Sequence, residues 1–187
     1  MRINLLKNSL FLWDIIDPIY FHFTRLEYVE NHLGKRTIMR VRLTKYKGRK
    51  VMLSDGTVIN KNDILLKIHL HNIRILKEIQ NCDSEVKRAL IVYKNVQESL
   101  PAIAHYIHRK GYVHEIKGII GITFLHKGCR RLGFETHTIQ SKSYKLFKQA
   151  TLLPIHFLAS KTWKKQIPTP MYLFMSKDKL LHRYKRI

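Results

Sequence analysis

The sequence predicts an α+β fold, and three patterns lead to this prediction. Apolar and polar residues alternate from 36 to 72, which is typical of half-buried strands. Apolar residues then recur at helical spacing from 86 to 107, and strand patterns return at 134–139 and 171–175. We therefore predict an antiparallel β-meander that later strands extend, packed against a long central helix and an N-terminal helix.

The N-terminal segment is expected to be helical. In residues 3–24 apolar side chains, Trp13 among them, recur at three- to four-residue spacing, and Pro18 is expected to break the helix. We predict one domain over 1–187, with a helical N-terminal segment at 1–30 packed on it. The alternative is an interfacial membrane helix, which two carboxylates within the segment disfavour at an anionic surface.

Three strands are predicted for the meander. Residues 37–44 alternate strictly, 51–53 form a short second strand, and 64–71 alternate again. Asp55 and Gly56 lie between the last two, and this pair suits the positive φ of a tight hairpin turn.

Two helices follow the meander. A short helix is predicted at 73–81, and Asp83 or Ser84 can cap the long one. Gly111 ends the long helix as its C′ residue. Because proline lacks an N–H, Pro101 predicts a kink or a break into two helices.

The remaining segments alternate between strands and helices. We predict them in this order: a strand at 119–122, a helix at 123–132 closed by Gly133, a strand at 134–139, a helix at 144–159 interrupted or bent at Pro154, a strand at 171–175, and a helix from Ser176 to Tyr184.

The charge of the chain indicates an anionic partner. The 187 residues include 35 Lys and Arg against 13 Asp and Glu, for a net charge of +22. Nucleic acid, an acidic lipid surface and a phosphorylated molecule all fit such a field.

No glycine-rich nucleotide loop or nucleophile elbow is present, so no cofactor is expected. With two cysteines and no membrane-length apolar stretch, we expect a cytoplasmic protein with reduced thiols, or one peripheral at the inner face of the membrane.

A histidine pair raises the question of a metal. His69 and His71 point to the same face of a strand, but zinc needs at least a third ligand. Nothing in the sequence selects one, so we predict no metal site. The open choices are His114, His126, His137, Asp55 and Asp63.

The candidate ligand site is cationic. Arg40 and Arg42 share one face of their strand, as His69 and His71 do, and we expect both pairs on one side of the meander. Arginine suits phosphate, and protonation of the histidines would strengthen binding below about pH 6.5. Nucleic acid is less favoured, because Ile38 stands where a stacking aromatic ring would be needed.

A second basic cluster is expected to approach the first. His126 and Arg130 are four residues apart and would share one face of the predicted helix, with Arg131 beside them.

Several short motifs together resemble the YkoP-like family, over about residues 13–184. The segments that carry the resemblance are LSDGTVI at 53–59, ND at 62–63, IHLHN at 68–72, GITFLHKG at 121–128, RLGFE at 131–135 and MSKDKLLHRY at 175–184. One of these motifs ends at Asn72, which we include among the candidate ligand-binding residues.

The resemblance implies a bacterial protein linked to envelope chemistry. Family members occur alone or C-terminal to polysaccharide deacetylase catalytic domains, so a deacetylase is an implied partner. The resemblance therefore favours an accessory domain that binds a phospholipid, a polyprenyl intermediate or an anionic glycopolymer. The alternative is an envelope-modifying enzyme that uses His69, His126 and Glu135 in acid–base or metal chemistry.

Overall fold

The computed structural model describes residues 25–82, 84–124, 126, 128–159 and 169–185, with 154–159 described by their backbone. The strands are β1 (Glu27–Glu30), β2 (Arg36–Lys45), β3 (Val51–Met52), β4 (Val58–Ile59), β5 (Ile64–Leu70), β6 (Gly118–Thr123), β7 (Glu135–Thr138) and β8 (Met171–Ser176). The α-helices are α1 (Asn72–Ile79), α2 (Glu85–Arg109), α3 (Lys142–Ala159) and α4 (Lys177–Tyr184). The predictions for residues 3–24, including Trp13 and Pro18, lie outside the described residues. Residues 27–30, at the end of the predicted helical segment, form the strand β1 instead.

Six strands form the main sheet, in the order β1-β2-β5-β6-β8-β7. All neighbours are antiparallel except β5 and β6, which are parallel and are joined by a crossover that contains α1 and α2. The predicted α+β class and mainly antiparallel sheet are confirmed.

One face of the sheet packs against α2. Val41, Leu66 and Ile119 lie on this face, and all three are fully buried. Ile103 and Ile107 of α2 cover them and are equally buried. Every second residue of each strand contributes to this core, so the side chains between them point to the opposite face of the sheet.

The long helix is continuous, so of the two alternatives predicted at Pro101, a kink or a break, the break into two helices is wrong. Ser84 is the N-cap, since its hydroxyl accepts a hydrogen bond from the Lys87 amide at 3.3 Å. Gly111 follows the helix with a φ of +73°, as predicted. The two residues flanking Pro101, Leu100 and Ala102, are buried against the sheet, and this packing offsets the missing N–H.

The meander differs from the prediction in one respect. The strands β3 and β4 leave the main sheet and pair with each other as a separate hairpin, so β2 pairs directly with β5. The turn of this hairpin is the predicted one, with Gly56 at a φ of +81°. Leu53 and Ile59 bury the hairpin against the sheet face opposite α2.

The predicted helix at 123–132 is wrong. The strand β6 continues to Thr123, and the only helical turn of the described residues in that range is a 3₁₀ turn at Cys129–Leu132. Gly128 has a φ of +87°, a left-handed conformation through which a right-handed helix cannot pass.

The helix α3 lies over the sheet face that α2 leaves open. Its Tyr144 ring stacks on Tyr172 of β8, with centroids 6.5 Å apart and planes at 23°. The helix runs without interruption to Ala159, so of the two alternatives predicted at Pro154, an interruption or a bend, the interruption is wrong. Space between α3, the hairpin and the end of β2 remains open.

Candidate functional site

A row of basic side chains crosses the sheet face below α3. Arg40 pairs with His69, and Arg42 pairs with Lys67 in the register of β2 and β5. Directly paired residues point to the same face, so Arg40, Arg42 and His69 share a face as the sequence predicted. Arg40 is only 2% exposed, and its guanidinium lies 5.0 Å from the centre of the Tyr28 ring.

His71 and Asn72 lie beyond the end of β5. His71 donates its amide proton to the Ile38 carbonyl at 2.8 Å, and its ring meets Tyr28 edge-on at 6.0 Å. Asn72 is the first residue of α1. His71 therefore continues the basic row towards the edge strand β1.

Within the basic row, His69 is uncharged because of its surroundings. Burial, followed by repulsion from Lys67 and Arg42, lowers the pKa of His69 to about 3. Without a bound anion His69 is therefore neutral at pH 6.5. The gain in anion binding expected from protonation of the histidine pair stays a prediction.

Lys67 is affected in the same direction. Burial, followed by repulsion from Lys148 of α3 and from Arg42, lowers its pKa from 10.5 to about 8. Lys148 also has a lowered pKa, through burial and then through Arg42. Three cations from three elements therefore repel one another at this place.

The second basic cluster is not brought to this row. Leu132 is buried in the core on the α2 side of the sheet, and the turn that precedes it carries Arg130 and Arg131 into solvent. The Arg183 guanidinium donates a hydrogen bond to the Arg131 carbonyl. His126 precedes this turn and is partly buried. The cluster thus lies on the α2 side, away from Arg40 and Arg42.

The residues of the enzyme alternative are also separate. Glu135 lies on β7, and two strands stand between it and His69 on β5. Three strand spacings correspond to about 14 Å. Glu135 is already engaged: it accepts hydrogen bonds from the Ser54 hydroxyl at 2.6 Å and from the Lys179 ammonium at 3.3 Å.

Glu135 belongs to a polar latch that fixes the hairpin on the sheet. Its carboxylate also accepts from the Ser54 amide at 3.0 Å. Next to it, the Ser176 hydroxyl donates to Asp55 and accepts from the Lys179 amide as the N-cap of α4. Burial raises the pKa of Glu135, but the hydrogen bonds from Ser54 and Lys179 outweigh it and lower the pKa overall. The latch explains these residues structurally.

An open cleft of about 1350 Å³ lies between the hairpin, the end of β2 and α3. Among the 22 described residues that line it, seven are Lys or Arg and none is Asp or Glu. The seven are Arg42, Lys45, Lys47, Arg49, Lys50, Lys61 and Lys67. A cleft lined by charges of one sign concentrates oppositely charged ligands.

The cleft also has apolar and neutral polar walls. Tyr172 stacks on Tyr144 and meets Tyr46 edge-on at 6.2 Å, so these rings form one continuous wall. Hydroxyl and amide side chains complete the lining, at Thr44, Asn60, Thr138, Gln140 and Ser141. The cleft can therefore donate hydrogen bonds to hydroxyl groups as well as attract anions.

Sequence reasoning found only part of this site. Arg42 was a candidate and Lys67 stood beside it, but the cations of the rim were missed. The run from Lys45 to Lys50 could have indicated the rim, since four of its six residues are basic. Lys148 and the tyrosines gave no such signal, because only the tertiary fold brings them together.

Three simpler features complete the description. The two cysteines, Cys82 and Cys129, are free thiols, and burial raises the pKa of Cys129 to about 11. In the part of the chain that the structure describes, no three His, Cys, Asp or Glu residues are close enough to hold a metal ion. No described helix has the length and apolarity that crossing a bilayer requires.

Comparison with known proteins gives a match over nearly the whole chain. A family model described as the YkoP domain matches residues 7–184. The curated "Uncharacterized protein YkoP" of Bacillus subtilis (strain 168) is 46% identical over 176 residues, which cover 94% of this chain and 95% of that relative. No solved structure matches the chain. The matched region includes every element that lines the cleft.

Proposed function

The chain belongs to the YkoP domain family, and from the architecture of its cleft we propose that it binds a ligand in which phosphate groups are joined to a sugar or polyol. The observation that carries the proposal is the lining of the cleft, with seven Lys or Arg and no described carboxylate. Lysine and arginine are the side chains that bind phosphate, as point charges and as planar forks.

The neutral part of the lining favours a hydroxyl-rich ligand. Asn60, Thr138 and Gln140 supply donors and acceptors that a phosphate alone would not need. Phosphorylated envelope glycopolymers, lipid-linked sugar phosphates and phospholipid headgroups share this chemistry. A binding role also agrees with the latch, because its hydrogen bonds from Ser54 already engage Glu135, the carboxylate of the acid–base alternative.

Single-stranded nucleic acid is the second candidate, because tyrosines stand beside the cations. Its bases need exposed aromatic faces on which to stack. The rings of Tyr144 and Tyr172 already stack on each other, and Tyr46 packs edge-on against Tyr172 and Phe174. These rings are largely committed to the protein, so a polyol phosphate fits the cleft better.

The test compares two triple variants with the same change in charge. Arg49→Glu, Lys50→Glu and Lys61→Glu alter exposed cations of the cleft rim. The control is Lys35→Glu, Lys87→Glu and Lys94→Glu, which alters exposed lysines that do not line the cleft. Binding of poly(glycerol phosphate) is measured by calorimetry at several salt concentrations. We expect the rim variant to lose at least tenfold in affinity and the control to stay within threefold of the wild type.

The outcomes separate the possible functions. Equal losses in both variants would mean attraction by net charge alone and would overturn the proposal. Oligothymidylate that binds tenfold more tightly through the same rim would assign the cleft to nucleic acid. Binding to phosphatidylglycerol vesicles but not to the soluble polymer would select the lipid source of the same chemistry. Peripheral membrane contact and a deacetylase partner stay predictions.

A further inference from the structure

The floor of the cleft holds a lysine in an unfavourable position. Lys67 lies in the middle of β5, opposite Arg42 and beside Ile120 of β6, and it lines the cleft. With the residues that the structure describes, it forms no hydrogen bond or ion pair. Removing a lysine ammonium from water without a counter-charge is costly. A ligand that supplies negative charge there would relieve this cost.

Two further cations face the same place from other elements. Arg42 is paired with Lys67 across β2 and β5. Lys148 of α3 does not line the cleft itself, but it is near enough to repel both cations. The Lys148 ammonium lies 5.5 Å from the centre of the Tyr144 ring, and Tyr144 also lines the cleft. Three positive charges therefore converge on one side of the cleft, whereas the rim cations are spread along its mouth.

We infer that Arg42, Lys67 and Lys148 form the binding site for a terminal phosphate monoester, so that the protein recognises the end of a phosphorylated chain. This inference rests on the proposed function and specifies which part of the ligand enters the floor. A monoester carries up to two negative charges and three terminal oxygens, which match three cations. An internal phosphodiester carries one negative charge and has two substituents. The sheet closes the cleft below Lys67, so both substituents would have to leave through the same opening towards the rim.

Pyridoxal 5′-phosphate is a suitable probe, because it carries an aldehyde and a phosphate monoester on one small ring. The aldehyde condenses with a neutral lysine amine, with loss of water, and borohydride reduces the imine to a stable amine. Burial and the two neighbouring cations lower the pKa of Lys67 to about 8. About a quarter of its amine is therefore neutral at pH 7.5 and able to react.

The experiment labels the full chain with limiting probe and maps the modified lysines by mass spectrometry. We expect pyridoxal 5′-phosphate to label Lys67 at least tenfold faster than pyridoxal does, whereas Lys61 at the rim shows a ratio near one. Glycerol 3-phosphate should protect the site, and dimethyl phosphate should not. Lys148→Met should lower the labelling ratio at Lys67. Its control on the same helix, Lys145→Met, should leave the ratio unchanged.

The results distinguish this inference from the proposed function. Equal labelling of Lys67 by both aldehydes, or equal protection by the monoester and the diester, would overturn the end-binding site even if poly(glycerol phosphate) binds through the rim. Selective labelling and protection at Lys67 would support the site even if the polymer does not bind, and the polymer ligand alone would then be wrong.

Discussion

Replacing Lys67 by methionine should stabilise the protein at pH 7. The substitution keeps the aliphatic stem and removes a charge that burial, then Lys148 and Arg42, make unfavourable. A pKa that falls from 10.5 to about 8 corresponds to about 3 kcal/mol of destabilisation while the lysine is protonated. Partial solvent access reduces this figure, so we expect Lys67→Met to raise the free energy of unfolding by about 2 kcal/mol.

The pH dependence gives the sign of the effect. Between pH 8 and pH 10.5 the folded state releases the Lys67 proton before the unfolded state does, so the wild type gains stability relative to the variant as the pH rises. The advantage of Lys67→Met should fall below about 1 kcal/mol by pH 10.

Urea unfolding of both proteins at pH 7 and pH 10 measures the effect. Lys61→Met is the control, because Lys61 is exposed at the rim, and it should change stability by less than about 0.5 kcal/mol. A Lys67→Met protein that is less stable than the wild type at pH 7 would refute the reasoning.

Three further predictions concern the latch and the thiols. Glu135→Gln weakens the hydrogen bonds from Ser54 and should cost about 1–2 kcal/mol in thermal unfolding at pH 7. Because the pKa of Glu135 is lowered overall, the loss should shrink as the pH falls below 4.5, and an unchanged loss there would contradict the assignment. Ser176→Ala removes the cap of α4 and the bond to Asp55, and should cost about 1–3 kcal/mol in urea unfolding; an unchanged free energy of unfolding would contradict the role of these two contacts. Cys129 should resist Ellman's reagent at pH 7.5, since its pKa is about 11, and two thiols should titrate in urea; rapid reaction of the folded protein at Cys129 would show that it is accessible.

Local signals in the sequence were sufficient for most elements of the fold. Ser84 and Gly111 end α2 where capping rules place them, and Gly56 forms the predicted turn. The wrong predictions arose where a local sequence rule was opposed by packing or by a backbone conformation that the rule does not include. Pro101 lacks a hydrogen bond, but burial of its neighbours outweighs this loss, and the left-handed Gly128 excludes a helix that the apolar spacing favoured.

The candidate site was predictable only within a strand pair. The two-residue repeat of a strand places Arg40 and Arg42 on one face of the sheet, and the antiparallel pairing of β2 with β5 places His69 on the same face. The separation of β3 and β4 from the sheet created the cleft, and no periodicity indicates such a departure. Lys148 reaches the floor from a helix about 80 residues further along the chain than Lys67, so its contribution depends on tertiary packing.

The single parallel pair between β5 and β6 divides the sheet into two antiparallel halves. Strands β1, β2 and β5 come from residues 27–70, and β6, β7 and β8 come from 118–176. All pairing within each half is antiparallel, so the inner strand of one half has an open edge until the other half joins it. During synthesis the first half leaves the ribosome with β5 unpaired until the crossover and the second half have been made. Lys67 of β5, with Arg42 on the neighbouring β2, would then repel a second copy of the same edge and disfavour aggregation at that stage.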